Sequence, residues 1–195
     1  MRYLVFLLFF LAGPLWAQQS IVLRTLDVQT SLPAPPWTEF HRIAADSESQ
    51  KWKRLSPRGT DLYQRTYVPK GQTFEAWEER YEVLAETPVT GDAEAHRNDF
   101  ANHYQRLCKN AVLAPIVDDP RRQVFVLYCP SYQHAPETGE MVIAVSERQK
   151  ETIVRVNYHL RVPAFDLMDR ASFPKSRAEL RDLVMYLNAA HLLPS

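Results

Sequence analysis

Cys129 closes the apolar run VFVLYC, and His134 follows five positions later in CPSYQH. A thiol beside an imidazole is a nucleophile with its general base, provided a thiolate can form. Cys108, the chain's other cysteine, offers the opposite reading, in which the two sulfurs bond to each other and neither reacts. No cysteine-hydrolase signature and no Cys-x-x-Cys pair surrounds either position. A second group, His96, Asp99 and His103, falls at i, i+3 and i+7 on one side of a helix. Two imidazoles and a carboxylate are ligands that zinc or copper accepts. No fourth ligand can be named, and a polar strip beside an apolar stripe gives the same spacing. A third group, Arg155, Asn157, His159 and Arg161, alternates along a strand. Its cationic and polar groups suit an acidic ligand or partner. A solvated sheet face accounts for the same alternation, and is the favoured reading.

The N-terminus bears on the cysteines. In MRYLVFLLFFLAGPLWAQQS a single cation, Arg2, precedes an apolar run from Tyr3 to Leu11. A Gly13-Pro14 break and small Ala17 follow, the layout of a secretory signal peptide. The run is shorter than the about 20 residues of a membrane span. Cleavage is expected near Ala17, giving a periplasmic or secreted chain that meets a membrane only through its leader. In an oxidising compartment two lone cysteines are expected to pair. A Cys108–Cys129 bridge would close a loop of about 20 residues and contribute about 3 kcal/mol through unfolded-chain entropy.

Lys and Arg number 23 and Asp and Glu 23. That balance argues against a nucleic-acid partner or broad binding to anionic membranes. With 5 glycines in the chain, phosphate-cradling loops are scarce. No G-x-S-x-G elbow, P-loop, dinucleotide fingerprint or H-E-x-x-H occurs, and no cofactor is expected. Arg121-Arg122 beside Asp118-Asp119 reads as a self-compensating turn.

These groups need elements to hold them. Residues 1–17 are the leader, 18–36 an extended Pro-rich arm around LPAPP, and 37–195 a single globular domain. Polar residues 46–60 read as a loop and DLYQRTYVP, 61–69, as a strand. One helical turn capped by Thr73 should run into a strand at about Arg80. Asp92 can cap a helix reaching Cys108, with Phe100, Tyr104 and Leu107 on its apolar stripe. Strands at 111–117, 123–129, 140–147 and 152–162 suggest an antiparallel meander. Ser176 and Glu179 form a capping box for a last helix whose inner face is Leu180, Leu183, Val184 and Leu187. The fold class is α+β, an antiparallel sheet of about five to seven strands with a middle helix and a C-terminal helix packed on it. Trp37, Trp52 and Trp77 are expected to be core or lid residues.

The stretch YVPKGQTFEAWEERYEV, 67–83, resembles a motif of small, uncharacterised exported bacterial proteins, in which a VPxGxTxExW-type run precedes a strand. The matching positions are Val68, Pro69, Gly71, Thr73, Glu75, Trp77 and Glu79; Ala76 and Glu78 replace the usual Asn and Thr. The order of elements is similar to the α/β/α sandwich of the PsbP-like group, which contains assembly and binding proteins. The resemblance implies a fold and a compartment and carries over no catalytic residue.

These observations favour an exported, non-enzymatic module that binds a protein or a small ligand, over an enzyme. Its candidate surface is the Arg155, Asn157, His159 and Arg161 face, or the aromatic, Pro-rich arm. One alternative is a small periplasmic hydrolase or thiol enzyme using Cys129 and His134, or His159. Others are an immunity-type inhibitor that plugs an effector's active site, and a metal carrier using His96, Asp99 and His103.

Overall fold

The computed structural model describes residues 20–43, 54–55 and 61–194. The expected leader, the first residues of the arm, and Trp52 with most of the 46–60 loop lie outside the described residues. In chain order the elements are β1 (Ser20–Thr25), β2 (Val28–Pro33), β3 (Phe40–Ile43), β4 (Arg54–Leu55), β5 (Asp61–Pro69) and β6 (Glu79–Thr87). Then come α1 (Ala93–Leu107), β7 (Cys108–Lys109), β8 (Val112–Asp119), β9 (Arg122–Cys129) and β10 (Ser131–Tyr132). The chain closes with β11 (Thr138–Gln149), β12 (Thr152–Pro163), α2 (Arg177–Asn188) and β13 (His191–Leu192).

The fold is α+β. An antiparallel sheet runs β3-β5-β6-β12-β11-β9-β8, with β4 beside β5. The meander from β8 to β12 follows from short connections between alternating apolar runs. Period-two alternation then divides every central strand between two faces. Val154, Val156, Tyr158 and Leu160 of β12 join Met141, Ile143 and Val145 of β11, together with Val184 and Leu187 of α2. On the opposite face Phe100 and Tyr104 of α1 pack with Phe125, Leu127, Val142 and Ala144. Helices thus cover both faces, α1 on one and α2 on the other.

Each helix begins where its cap dictates. Asp92 accepts the Ala95 amide at 2.9 Å, and Ser176 and Glu179 form the reciprocal capping box. Arg122 ties the end of α2 to the sheet. It meets Glu147 at 2.5 Å and donates to the Asn188 and Ala190 carbonyls at 2.8 and 2.9 Å. Arg97 of α1 reaches Asp118 at 2.8 Å and the buried Gln123 at 2.7 Å. The turn charges expected to compensate one another therefore latch both helices to the sheet instead.

Two expected elements differ. The segment expected as an extended arm is largely a hairpin, β1 with β2, extended by β13 into a small sheet. Its Leu23, Val28 and Leu32 are in the core, because the turn at Leu26, at φ 50°, folds the apolar residues inward. The helical turn expected after Thr73 is absent. Thr73 Oγ1 does accept the Ala76 amide at 3.2 Å, as a cap would, but the Gln72 side chain takes the Glu78 and Glu79 amides at 2.8 and 3.2 Å. With those amides engaged, the chain enters β6 without a helical turn. No helix among the described residues is long and apolar enough to cross a membrane.

Candidate functional site

Beneath α1 the sheet is apolar; across β11, β12 and β6 the same face becomes charged. Register explains the convergence. His159 pairs with Val142 on one side and Arg80 on the other, while Asn157 pairs with Ala144 and Glu82. Glu140, one diagonal step from His159, points to the same face.

His159 has a carboxylate at each ring nitrogen: Nδ1 lies 2.6 Å from Glu140 and Nε2 lies 3.6 Å from Glu82. Tyr104 donates to Glu140 at 3.0 Å, and Tyr132 donates to its other oxygen. Gln64 and Asn157 donate to Glu82 at 2.6 and 3.1 Å. Asn157 is fully buried and His159 is 1% exposed. Burial pushes the Glu82 carboxyl up, but the His159 hydrogen bond and the charges of His159, Arg80 and Arg155 outweigh it. The carboxyl is held well below its ordinary value. Burial, then the charge and hydrogen bond of Glu140, raise the Tyr104 hydroxyl well above its own.

The solvated face favoured from the alternation is therefore a buried polar layer at its centre. Trp77 packs edge-on against His159 with ring centres 6.1 Å apart, and the Tyr104 hydroxyl lies 3.5 Å from its Nδ1. A partner cannot touch Asn157 or His159 directly, so the candidate binding face reduces to its ends. Arg155 at one end stacks over Phe100 at 4.5 Å. At the other, Arg80 and Arg161 stand 4.4 and 4.0 Å over the Trp77 ring. Arg80, Arg155 and Arg161 are each half-buried as residues. Among the described residues none forms an ion pair with a carboxylate within 4.0 Å. Arg80 Nε and Arg155 Nε, with Asn157 Oδ1, are buried without a hydrogen-bond partner. Burial lowers the pKa of both Arg155 and Arg161. A guanidinium stacked on an aromatic ring keeps its N–H edge for an anion, and stacking fixes where that edge points.

The other expected sites fare differently. The Cys108 and Cys129 sulfurs are 1.99 Å apart, with Cα atoms at 5.4 Å, and Cys129 is fully buried. That bond leaves Cys129 no thiol for the exposed His134 to activate. His96, Asp99 and His103 do lie along α1, but no group of three or more His, Cys, Asp or Glu converges for a metal among the described residues. The His103 ring instead packs against Tyr104. Sequence reasoning missed Glu82, Glu140 and Arg80. Their signal was polar residues on alternate positions of otherwise apolar strands.

Trp77 and Glu79 face opposite sides of the sheet at the start of β6. Trp77 is 4% exposed between the arginines and His159. Glu79 accepts from Tyr158 at 2.7 Å and from the Trp37 indole. Trp37 packs against Tyr158 and fastens the segment after β2.

No protein-family model matches the chain, and no curated protein matches it. Among solved structures, the chain is similar to the 1.9 Å crystal structure of the Saccharomyces cerevisiae Ran-binding protein Mog1p, at 12% identity and a TM-score of 0.52. The similarity covers 90% of this chain and 96% of that one, and it shows a shared fold.

Proposed function

We propose that the chain is an exported, non-enzymatic interaction module that receives an acidic group of a protein partner at the rim formed by Arg80, Trp77 and Arg161. The carrying observation is the pair of guanidiniums stacked on one indole and free of carboxylate ion pairs among the described residues. The two guanidiniums repel at close range, buried Glu82 and Glu140 offset part of that from below, and a carboxylate arriving from the open side relieves the rest. Mog1p is named a Ran-binding protein, and a protein-binding member of this fold supports a protein as the ligand. The leader-like first 17 residues and the paired cysteines support the exported setting. The motif of small exported proteins accords with it, since its Trp77 builds the rim. The burial of His159 and Cys129 speaks against the hydrolase and thiol-enzyme alternatives.

The test is affinity capture from the producing cells with the wild type, Arg161→Glu and Arg80→Gln. Arg161 stacks on Trp77 and ties the Glu75 carbonyl, so circular dichroism checks that its reversal leaves the fold intact; Arg80 acts on buried Glu82, so the neutral change is the safer one. Partners retained by the wild type should be lost from Arg161→Glu and weakened in Arg80→Gln, with both variants showing wild-type circular dichroism. Identical partner sets from all three would remove the arginine rim from the account.

A further inference from the structure

Phe74 is 46% exposed, belongs to neither principal core cluster, and has no ring contact among the described residues. A single exposed aromatic is ordinary on a protein surface. What distinguishes this one is the loop that carries it. Gly71, at φ +90°, turns the chain after β5. The Gln72 amide donates to Pro69 at 3.1 Å, and its side chain clamps the Glu78 and Glu79 amides. Thr73 and Ala76 bond to each other through backbone and side chain, at 3.4 and 3.2 Å. Arg161 fixes the far side: its amide donates to the Glu78 carbonyl at 2.7 Å and its guanidinium to the Glu75 carbonyl at 3.3 Å. Buried Trp77 anchors the loop from below. Every polar tie in the loop bypasses position 74. The segment is built and ordered, and the phenyl ring projects from it.

From this we infer that Phe74 is the apolar anchor of the same interface: it enters an apolar pocket on a protein partner, and an acidic residue at the border of that pocket meets Arg161. The inference rests on the arginine-rim reading for its acidic half. The two features adjoin, because the Arg161 guanidinium bonds to the backbone of the residue after Phe74. Anchors of this kind are large side chains seated in a pocket and ringed by contacts that exclude water. Because the loop is ordered before contact, binding loses little further conformational entropy. Exposed Glu75 and Glu78 flank the ring, which disfavours an anionic membrane as the occupant.

The experiment places a photo-crosslinking phenylalanine at position 74 of the full chain in producing cells, with the same probe at exposed Met185 on α2 as control. Expected is a discrete protein adduct from position 74 and none of that mass from position 185. With the adducted partner purified, Phe74→Ala should weaken binding about tenfold or more while the melting temperature stays unchanged. An adduct that survives Arg161→Glu would support the anchor and refute the acidic contact, so the two readings fail separately. Equal adducts from positions 74 and 185, unchanged affinity in Phe74→Ala, or Phe74-dependent flotation with vesicles of phosphatidylcholine and phosphatidylglycerol would each overturn the inference.

Discussion

Replacing His159 with alanine removes the ring that bridges two buried carboxylates. Their side chains are 10% exposed for Glu82 and 2% for Glu140. Removing the partner of a buried carboxylate costs about 3–5 kcal/mol, because the carboxylate stays buried with less compensation. Glu82 would keep the Gln64 and Asn157 amides, and Glu140 would keep two tyrosine hydroxyls. Those donors place the expected loss at the lower end, about 3 kcal/mol. For a domain of this size that corresponds to a fall in melting temperature of about 6–12 °C. Urea titration at pH 7, followed by tryptophan fluorescence, measures it, and scanning calorimetry gives the temperature. His103→Ala, at an exposed position of α1, is the control and should change stability by less than about 0.5 kcal/mol. A second cycle adds Glu82→Gln, which removes one of the orphaned charges. The double variant should be at least about 1 kcal/mol more stable than the two single losses summed. If His159→Ala costs less than about 1 kcal/mol, the buried charged layer does not exist as described.

Three further outcomes follow from the same geometry. The Glu82 carboxyl is depressed in the folded state, so its stabilising contribution is full above its ordinary value of 4.5 and is lost as pH falls below it. The stability gap between wild type and Glu82→Gln should therefore shrink as pH falls below about 4.5, read by urea titration across acid pH. Arg122→Ala removes the charged link to Glu147 and the end of α2, and should cost about 2 kcal/mol, with hydrogen exchange rising first over 184–192. Replacing Cys108 and Cys129 together with serine opens a link of sequence separation 21 and should cost about 3 kcal/mol by equilibrium denaturation.

Much of the scaffold was legible because its signals are local. Asp92, the Ser176/Glu179 box and the alternation of 152–162 each act within a few residues, and each element forms where they place it. The hairpin at 20–33 was hidden because its turn uses Leu26 in a left-handed conformation, where glycine or asparagine would have announced it. The burial of Asn157 and His159 was hidden for a different reason. Alternation reports polarity, not exposure, and the carboxylates that stabilise this layer lie on β6 and β11, brought alongside only by sheet register. Arg80 was passed over as the start of a strand; its significance appears only when Trp77 and Arg161 are brought beside it.

Hydrogen exchange of the full chain with and without its captured partner tests the central claim most directly. The account predicts protection concentrated at 72–80 and around Arg161, where the ordered loop meets the stacked arginines. Protection confined to the 20–33 hairpin or to α2, with 72–80 unchanged, would contradict it.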